Sequence, residues 1–313
     1  MNDSPSPAPL LELDHLDHLW IQVAGTLCNY QCYHCFISCH PKNHNLEMLS
    51  FDDVTSVIQQ ALELGVKEIY FTGGEPFLHR RMVDILEYTL QYAPATVLTN
   101  ASVLREEWLE RLAEAERRSV YSLEFRVSLD GFTEQENDAI RGPGTFQRTM
   151  DGIEKLVRWG FLPIISAVRT WPVEKDPQVI SGFLGLLRER GYRRPRLKLL
   201  PTLRLGAERD RSGDYRPDER ITSGMLADYP LDQLVCRSAR AVTSRGVCVC
   251  PILVEMAEAY LGKTLHEALG PARLGHGACW TCYQFGAICS NAGRSEGQVS
   301  NRFPETRGWH DWR

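Results

Sequence analysis

Short apolar runs alternate with amphipathic stretches along the first two thirds of the chain. Runs rich in Ile, Val, Leu, Phe and Tyr are typical of buried strands, and apolar residues at every third or fourth position indicate helices. Strands are predicted at 19–23, 68–71, 95–98, 123–129, 163–168 and 196–200. Helices are predicted at 50–64, 81–92, 106–116, 146–159 and 177–190. Strands that alternate with helices in this way are typical of a parallel sheet.

The alternation gives six strand–helix units without an internal repeat, so an α/β partial (β/α)6 barrel is favoured over a closed eight-stranded one. Ser50, with Asp53 three residues later, predicts a capping box at the start of the first helix. The pattern ends near residue 205, and the charged segment that follows predicts a linker or mobile loop. We therefore expect a flexible tail at 1–17, a barrel at 18–205, a linker at 206–235 and a small cysteine-rich domain at 236–313.

Composition narrows the class of protein. The chain has 313 residues, with 35 basic and 40 acidic side chains and a net charge of −5, so nothing favours nucleic acid or an anionic membrane as a partner. No apolar run reaches the ~18 residues that span a bilayer. Residues 1–9 lack a signal-peptide pattern, and we expect a cytoplasmic protein. Ten cysteines in a reducing compartment predict metal ligation rather than disulfides.

Three of these cysteines follow the first predicted strand, at the end where parallel α/β folds place their sites. Cys28, Cys32 and Cys35 have the spacing C-x3-C-x2-C. Thiolates are suited to iron–sulfur clusters, and three of them leave one iron of a [4Fe–4S] cluster open to a small bidentate molecule. The alternative is a zinc site with a distant fourth ligand, although structural zinc prefers four ligands in paired C-x2-C units.

The loop resembles the C-x3-C-x-Φ-C signature of the radical S-adenosylmethionine (SAM) superfamily, with His34 at the position that is usually aromatic. Further motifs follow in the order of that family, and Thr72-Gly73-Gly74-Glu75-Pro76 resembles its GGE motif. The resemblance implies that SAM is bound by His34, Thr72, Gly73, Gly74, Glu75, Asn100, Ser128, Asp130 and Arg141. For Asn100 the alternative is a helix cap, and for Asp130 it is a turn former.

The resemblance also implies a reaction. The reduced cluster cleaves SAM to methionine and a 5′-deoxyadenosyl radical, which takes a hydrogen atom from an unactivated C–H bond, with flavodoxin or ferredoxin as the electron donor. The favoured substrate is a small polar metabolite (a sugar, aminocyclitol or nucleoside) that is dehydrogenated, epimerised or decarboxylated. Maturation of a ribosomal peptide is the alternative, but the nine-residue tail is too short for the leader-binding domain of many such relatives. A non-catalytic metal-binding scaffold is the third hypothesis.

A second group of cysteines resembles the SPASM extension or its shortened form, Twitch, which carry auxiliary clusters. The chain departs from the full SPASM pattern because no cysteine follows Cys289, so one auxiliary [4Fe–4S] cluster is expected rather than two. The expected ligands are Cys236, Cys250, Cys279 and Cys282. Cys248 is the alternative to Cys250, and Cys289 is the alternative to one of the C-x2-C pair. Gly246 predicts a hairpin turn between the first ligands, and zinc remains the alternative metal.

A few residues outside these motifs are also candidates for chemistry. Cys39 is either a buried thiol or a hydrogen-atom donor to a product radical. Four cations near predicted strand ends are candidates for binding a substrate phosphate or carboxylate, namely Arg169, Lys198, Arg204 and Arg209. Their alternative is solvated loop charge.

Overall fold

The computed structural model describes residues 7–286 together with residues 288 and 289. In this part of the chain a nine-stranded sheet forms the centre of the fold, and a two-stranded sheet joins the N-terminal segment to residues near the other end. No helix of the described part is long and apolar enough to cross a membrane.

The strands and α-helices follow one another in the alternation that the sequence predicts. The strands are β1 Leu10–Leu11, β2 His18–Gln22, β3 Glu68–Thr72, β4 Ala95–Thr99, β5 Leu123–Ser128, β6 Ile164–Val168, β7 Arg196–Leu200, β8 Ala239–Thr243, β9 Gly246–Cys248, β10 Tyr260–Gly262 and β11 Ala272–Arg273. The helices are α1 Phe51–Glu63, α2 Met82–Thr89, α3 Glu106–Arg118, α4 Glu134–Arg141, α5 Thr145–Arg158, α6 Asp176–Glu189, α7 Gly206–Ser212, α8 Ser223–Leu226 and α9 Gly277–Phe285.

The six strands from β2 to β7 are parallel and lie side by side in chain order. Helices connect them, and apolar side chains of strands and helices form one large core, with Ile69, Phe71 and Leu109 fully buried. Ser50 and Asp53 form the predicted capping box, each side chain accepting a hydrogen bond from the other residue's backbone N–H. The predicted partial (β/α)6 barrel is therefore confirmed.

Two segments differ from the sequence prediction. Helix α4 was not expected, although Thr133 and Glu136 form a second capping box at its start. The segment 206–235, predicted as a linker or mobile loop, contains α7 and α8. At the start of α7, Gly206 has a φ of +51°, and a Cβ there would lie 2.8 Å from the carbonyl oxygen of Cys35. This segment therefore packs directly on the cysteine loop.

The C-terminal strands extend the barrel sheet. Strand β8 pairs in parallel with β2, and β9 and β10 continue the sheet in antiparallel fashion. Gly246, with a φ of +127°, ends the turn between β8 and β9, as the sequence predicts. Within the tail predicted at 1–17, Leu10 and Leu11 form β1 and pair with β11, and residues 1–6 lie outside the described part.

Candidate functional site

A cavity of about 240 Å³ lies at the carboxyl end of the parallel strands. The last residue of each strand from β2 to β7 lines it, namely Gln22, Thr72, Thr99, Ser128, Val168 and Leu200. Residues from the C-terminal segment, including Pro251, Ile252 and Ile288, complete its wall. The sheet edge that the sequence predicts as the site is therefore a concave surface. The barrel strands and the C-terminal segment both line it.

Cys28, Cys32 and Cys35 all line this cavity. The backbone N–H of Tyr30 donates to Cys28 Sγ over 3.4 Å, and that of Cys39 donates to Cys35 Sγ over 3.2 Å. Such donors stabilise sulfur in its thiolate form, which is the form that binds metal. Among the residues that the structure describes, no three candidate ligands converge on a single ion. A [4Fe–4S] cluster does not need them to, since each of its cysteines binds a different iron.

Gly73 and Gly74 both line the cavity, and packing against the start of the cysteine loop explains the glycine at position 74. A Cβ on Gly74 would lie 2.1 Å from the Leu27 carbonyl oxygen and 2.8 Å from Cys28 Cβ. The N–H of Gly74 donates to the Gly25 carbonyl over 2.9 Å. The cysteine loop can therefore lie against the end of β3 only where no side chain intervenes.

Glu75 does not line the cavity, contrary to what a SAM-binding role would suggest. Its carboxylate is fully buried and accepts hydrogen bonds from the Thr99 hydroxyl over 2.7 Å and from the backbone N–H groups of Asn100 and Phe77. Burial raises the pKa of Glu75. These bonds tie the turn after β3 to the end of β4, so Glu75 positions its neighbours in this structure.

Asp130 is also absent from the cavity wall, and it holds two residues that do line the wall. Its carboxylate lies 2.6 Å from His34 Nε2 and 2.6 Å from Arg141 Nε, and it accepts a bond from the Val168 backbone N–H over 2.7 Å. Burial alone would raise the pKa of Asp130, but the charges of Arg141 and His34 lower it well below its usual value. Asp130 thus acts as a buried anchor for His34 and Arg141.

Arg141, Asn100 and Ser128 line the cavity at the positions that the resemblance implies. Arg141 Nη1 lies 3.8 Å from Cys32 Sγ, and Asn100 Nδ2 lies 4.0 Å from Cys28 Sγ while it donates to Asn29. Asn100 does not cap α3, because that helix begins after Arg105. Cys39 is buried in the same wall, and its thiol hydrogen bond to Cys35 lowers the pKa of Cys35.

A second, smaller cavity lies in the C-terminal part. It is lined by all four of the expected auxiliary ligands, Cys236, Cys250, Cys279 and Cys282. Cys279 and Cys282 stand one turn apart on α9, on the same helix face. Burial raises the pKa of Cys279 to about 12, so metal binding here must displace protons from the thiols.

The two alternative ligands lie elsewhere. Cys248 is fully buried in β9 and lines neither cavity. Cys289 lines the first cavity, where its backbone carbonyl accepts a hydrogen bond from Arg126 Nη1 over 2.9 Å. The geometry therefore favours Cys250 over Cys248 and leaves the auxiliary ligand set a prediction.

This choice between Cys250 and Cys248 is open to a direct test. We expect Cys250→Ser to lose one cluster, which removes about four irons per chain. Cys248→Ser is the matched control, since it removes a buried thiol two residues away, and it should keep the iron of the unsubstituted protein. Iron and sulfide are counted after anaerobic reconstitution. Equal iron in both variants, or a loss only in Cys248→Ser, would contradict the assignment.

The four cations proposed from the sequence do not gather in the cavity. Arg169 pairs with Asp176 at 2.6 Å, and Arg204 pairs with Glu219 at 2.6 Å. Arg209 is exposed on α7, and Lys198 lies half-buried in β7. None of them lines the first cavity. The arginine that does so beside Arg141 is Arg126, which the sequence prediction missed.

Known proteins match part of this chain in sequence and most of it in fold. Residues 23–172 match the Radical SAM superfamily. The chain is 28% identical over 138 residues to the probable GTP 3′,8-cyclase of Methanococcus maripaludis, a match that covers 44% of each protein. It is 30% identical over 131 residues to AlbA, the antilisterial bacteriocin subtilosin biosynthesis protein of Bacillus subtilis, covering 41% of this chain and 28% of AlbA. The matched segments thus span less than half of either relative.

A solved structure extends the likeness beyond the barrel. SuiB of Streptococcus suis, bound to the precursor peptide SuiA, aligns with a TM-score of 0.59 at 16% identity, over 78% of this chain and 61% of SuiB. At this identity the likeness is one of fold. Three findings point to the same family. They are the sequence match, the cysteine loop at the carboxyl end of a partial barrel, and the cysteine-rich C-terminal part. Residues 23–172, which include the cysteine loop, thus match the radical SAM superfamily.

Proposed function

We propose that the chain holds a [4Fe–4S] cluster through Cys28, Cys32 and Cys35, binds SAM beside it, and removes a hydrogen atom from a small polar metabolite. The observation that carries the proposal is that these three thiols share one cavity with His34, Asn100, Ser128 and Arg141. When bound, the cluster and SAM supply one-electron cleavage of a sulfonium and a carbon-centred radical. The protein supplies binding, orientation and the exclusion of water.

Charge near the cysteine loop suits this task. Arg141, fixed by Asp130, places a cation 3.8 Å from Cys32 Sγ and offsets part of the negative charge of the thiolates. His34, held by the same carboxylate, presents a ring at the position that the resemblance assigns to the adenine. Asn100 and Ser128 supply polar groups at the ends of two neighbouring strands.

Apolar side chains close the rest of the cavity. Phe36 and Leu203 line it from the barrel side, and Ile252 and Ile288 line it from the C-terminal part. A reactive radical is protected where water and competing hydrogen donors are excluded. Under this proposal the C-terminal part both shields the site and holds a second [4Fe–4S] cluster through Cys236, Cys250, Cys279 and Cys282. Flavodoxin or ferredoxin is the proposed electron donor.

Two substrate classes are supported by the relatives, a small polar metabolite and a ribosomal peptide. The name of the Methanococcus maripaludis relative refers to a nucleotide, which favours a small polar metabolite. Bacteriocin biosynthesis in the name of AlbA, and the peptide bound to SuiB, favour maturation of a ribosomal peptide instead. We retain the metabolite as the first candidate because the cavity is walled by both parts of the chain.

Anaerobic reconstitution followed by reduction with dithionite tests the proposal. We expect about eight irons per chain for two clusters, and 5′-deoxyadenosine should form when SAM is added. About four irons with 5′-deoxyadenosine would leave only the first cluster. Absence of 5′-deoxyadenosine, or zinc in place of iron at Cys28, Cys32 and Cys35, would refute the proposal.

A further inference from the structure

Besides His34 Nδ1, three buried polar atoms of residues that line the first cavity have neither a hydrogen-bond partner nor an ion-pair partner among the described residues. They are Trp20 Nε1, Arg126 Nε and Ser166 Oγ. Trp20 and Arg126 are each 3% exposed and Ser166 is 7% exposed, so bulk water does not satisfy them. A buried donor without a partner is costly, and its presence in a cavity indicates a ligand that supplies the acceptor.

The positions of these residues place them next to the SAM site. Arg126 precedes Ser128 by two residues in β5, so both side chains point to the same face, with Arg126 one step deeper in the barrel. Ser166 of β6 pairs in register with Ser128. Trp20 of β2 stacks on Tyr70 with 4.3 Å between ring centroids, which fixes its indole. The three groups therefore lie on the cavity wall, on β2, β5 and β6, and Ser128 of β5 is one of the proposed SAM contacts.

Arg126 is a buried cation without a counterion. Its Nη1 donates to the Cys289 carbonyl, and within the described residues no carboxylate lies within the 4.0 Å of an ion pair. The two carboxylates that act on Arg126 electrostatically, Glu68 and Glu124, make their hydrogen bonds to other residues. Glu68 accepts from Tyr70 and Thr96, and Glu124 accepts from Arg196. Burying a charge without a partner is unfavourable, and among the described residues no anion offsets the charge of Arg126.

Lys198 is a second cationic side chain in this part of the barrel. Burial and the nearby charge of Arg126 lower the pKa of Lys198 to about 8. Lys198 lies on β7 opposite Ser166 in the strand register. The barrel interior next to the cavity is therefore positively charged at a depth where the guanidinium of arginine stays protonated.

We propose that Arg126, assisted by Trp20 and Ser166, binds an anionic oxygen group of the substrate, a carboxylate or a phosphate. The inference rests on the proposed function and narrows its substrate class to an acidic molecule. The guanidinium supplies two-point recognition of such a group, and the indole N–H and serine hydroxyl supply neutral donors. Arg141, not Arg126, is the arginine next to the cysteine loop, so Arg126 remains for the substrate when SAM is bound.

Titration of small anions into the reconstituted, SAM-saturated protein tests this assignment. Inorganic phosphate and acetate are the probes, with acetamide as the uncharged counterpart of acetate, and binding is measured by calorimetry. We expect at least one anion, but not acetamide, to bind. Arg126→Gln should weaken that binding by about 10- to 100-fold, and Arg126→Lys should retain part of it. A preference for phosphate or for acetate distinguishes a phosphorylated substrate from a carboxylic acid.

The control variant is Arg193→Gln, which makes the same change at an exposed arginine in the loop before β7, away from the cavity. It should bind the anion as the unsubstituted protein does. Thermal unfolding adds a second readout, because the anion should raise the Tm of the unsubstituted protein but not that of Arg126→Gln. Without anion, Arg126→Gln should melt no lower than the unsubstituted protein, since it removes an unpaired buried charge.

Three outcomes would overturn the inference: no anion binds, Arg126→Gln binds it unchanged, or Arg126→Gln weakens the affinity for SAM. The last result would make Arg126 a SAM ligand. Formation of 5′-deoxyadenosine is measured separately in the unsubstituted protein and in Arg193→Gln, and it should be the same in both. If even the unsubstituted protein forms none, the proposed function fails, whereas the anion titration still decides the role of Arg126.

Discussion

Cys32→Ala is expected to abolish the formation of 5′-deoxyadenosine and to remove about four irons per chain. Cys32 lines the main cavity, and its Sγ lies 3.8 Å from the guanidinium of Arg141. Two remaining cysteines cannot hold a cluster that needs three protein ligands, and Arg141 would then face an apolar methyl group. The measurement combines iron counting with quantification of 5′-deoxyadenosine after reduction with dithionite.

Cys248→Ala is the control for this change. Its thiol is buried but lies on neither cavity, so both the iron content and the SAM cleavage should be those of the unsubstituted protein. Full SAM cleavage by Cys32→Ala would exclude Cys32 as a ligand of the first cluster. Loss of the iron in both variants would instead show that general misfolding, rather than ligation, explains the effect.

Gly74→Ala is expected to lower the free energy of unfolding by about 3 kcal/mol, the upper part of the usual range for overpacking. The added methyl group would lie 2.1 Å from the Leu27 carbonyl oxygen and 2.8 Å from Cys28 Cβ, so the cysteine loop must move away from β3. For a chain of this size the Tm should fall by about 5 °C. Chemical and thermal unfolding followed by circular dichroism measure both quantities, and iron content reports the displaced loop.

Gly185→Ala is the matched control for Gly74→Ala. Gly185 lies inside α6, and a Cβ there meets no atom within 4 Å. The same chemical change should therefore raise the free energy of unfolding by about 0.5–1 kcal/mol, because alanine is the better helix former. A stable Gly74→Ala variant with full iron would show that the loop tolerates the side chain, contrary to the packing described above.

Most of the barrel follows from local pattern. Buried parallel strands have short apolar runs in their sequence, and β3 and β6 lie where those runs are. The cysteine loop can be predicted equally well from the sequence, because its spacing and its place after a strand do not depend on distant contacts. Helix α4 was missed although Thr133 and Glu136 carry the capping-box pattern in the sequence.

Other features depend on which residues meet in space. A motif places Glu75 near the site. Only the fold shows that its carboxylate accepts hydrogen bonds from the Thr99 hydroxyl and two backbone N–H groups. The sequence places Arg126 inside a predicted strand and not among the site residues. Its two-residue spacing from Ser128 nevertheless predicts that the two side chains share a face of that strand. The pairing of β8 with β2 joins residues more than two hundred positions apart, and no local periodicity encodes it.

That pairing makes β2 an interior strand, with β8 on one side and β3 on the other. A chain cut before β8 would expose a row of unpaired N–H and C=O groups along β2, the strand that leads into the cysteine loop. An open edge of this kind recruits strands from other molecules and promotes aggregation. The barrel is thus not an independent module for expression or domain exchange, and a hybrid enzyme must transfer β8 to β10 together with it.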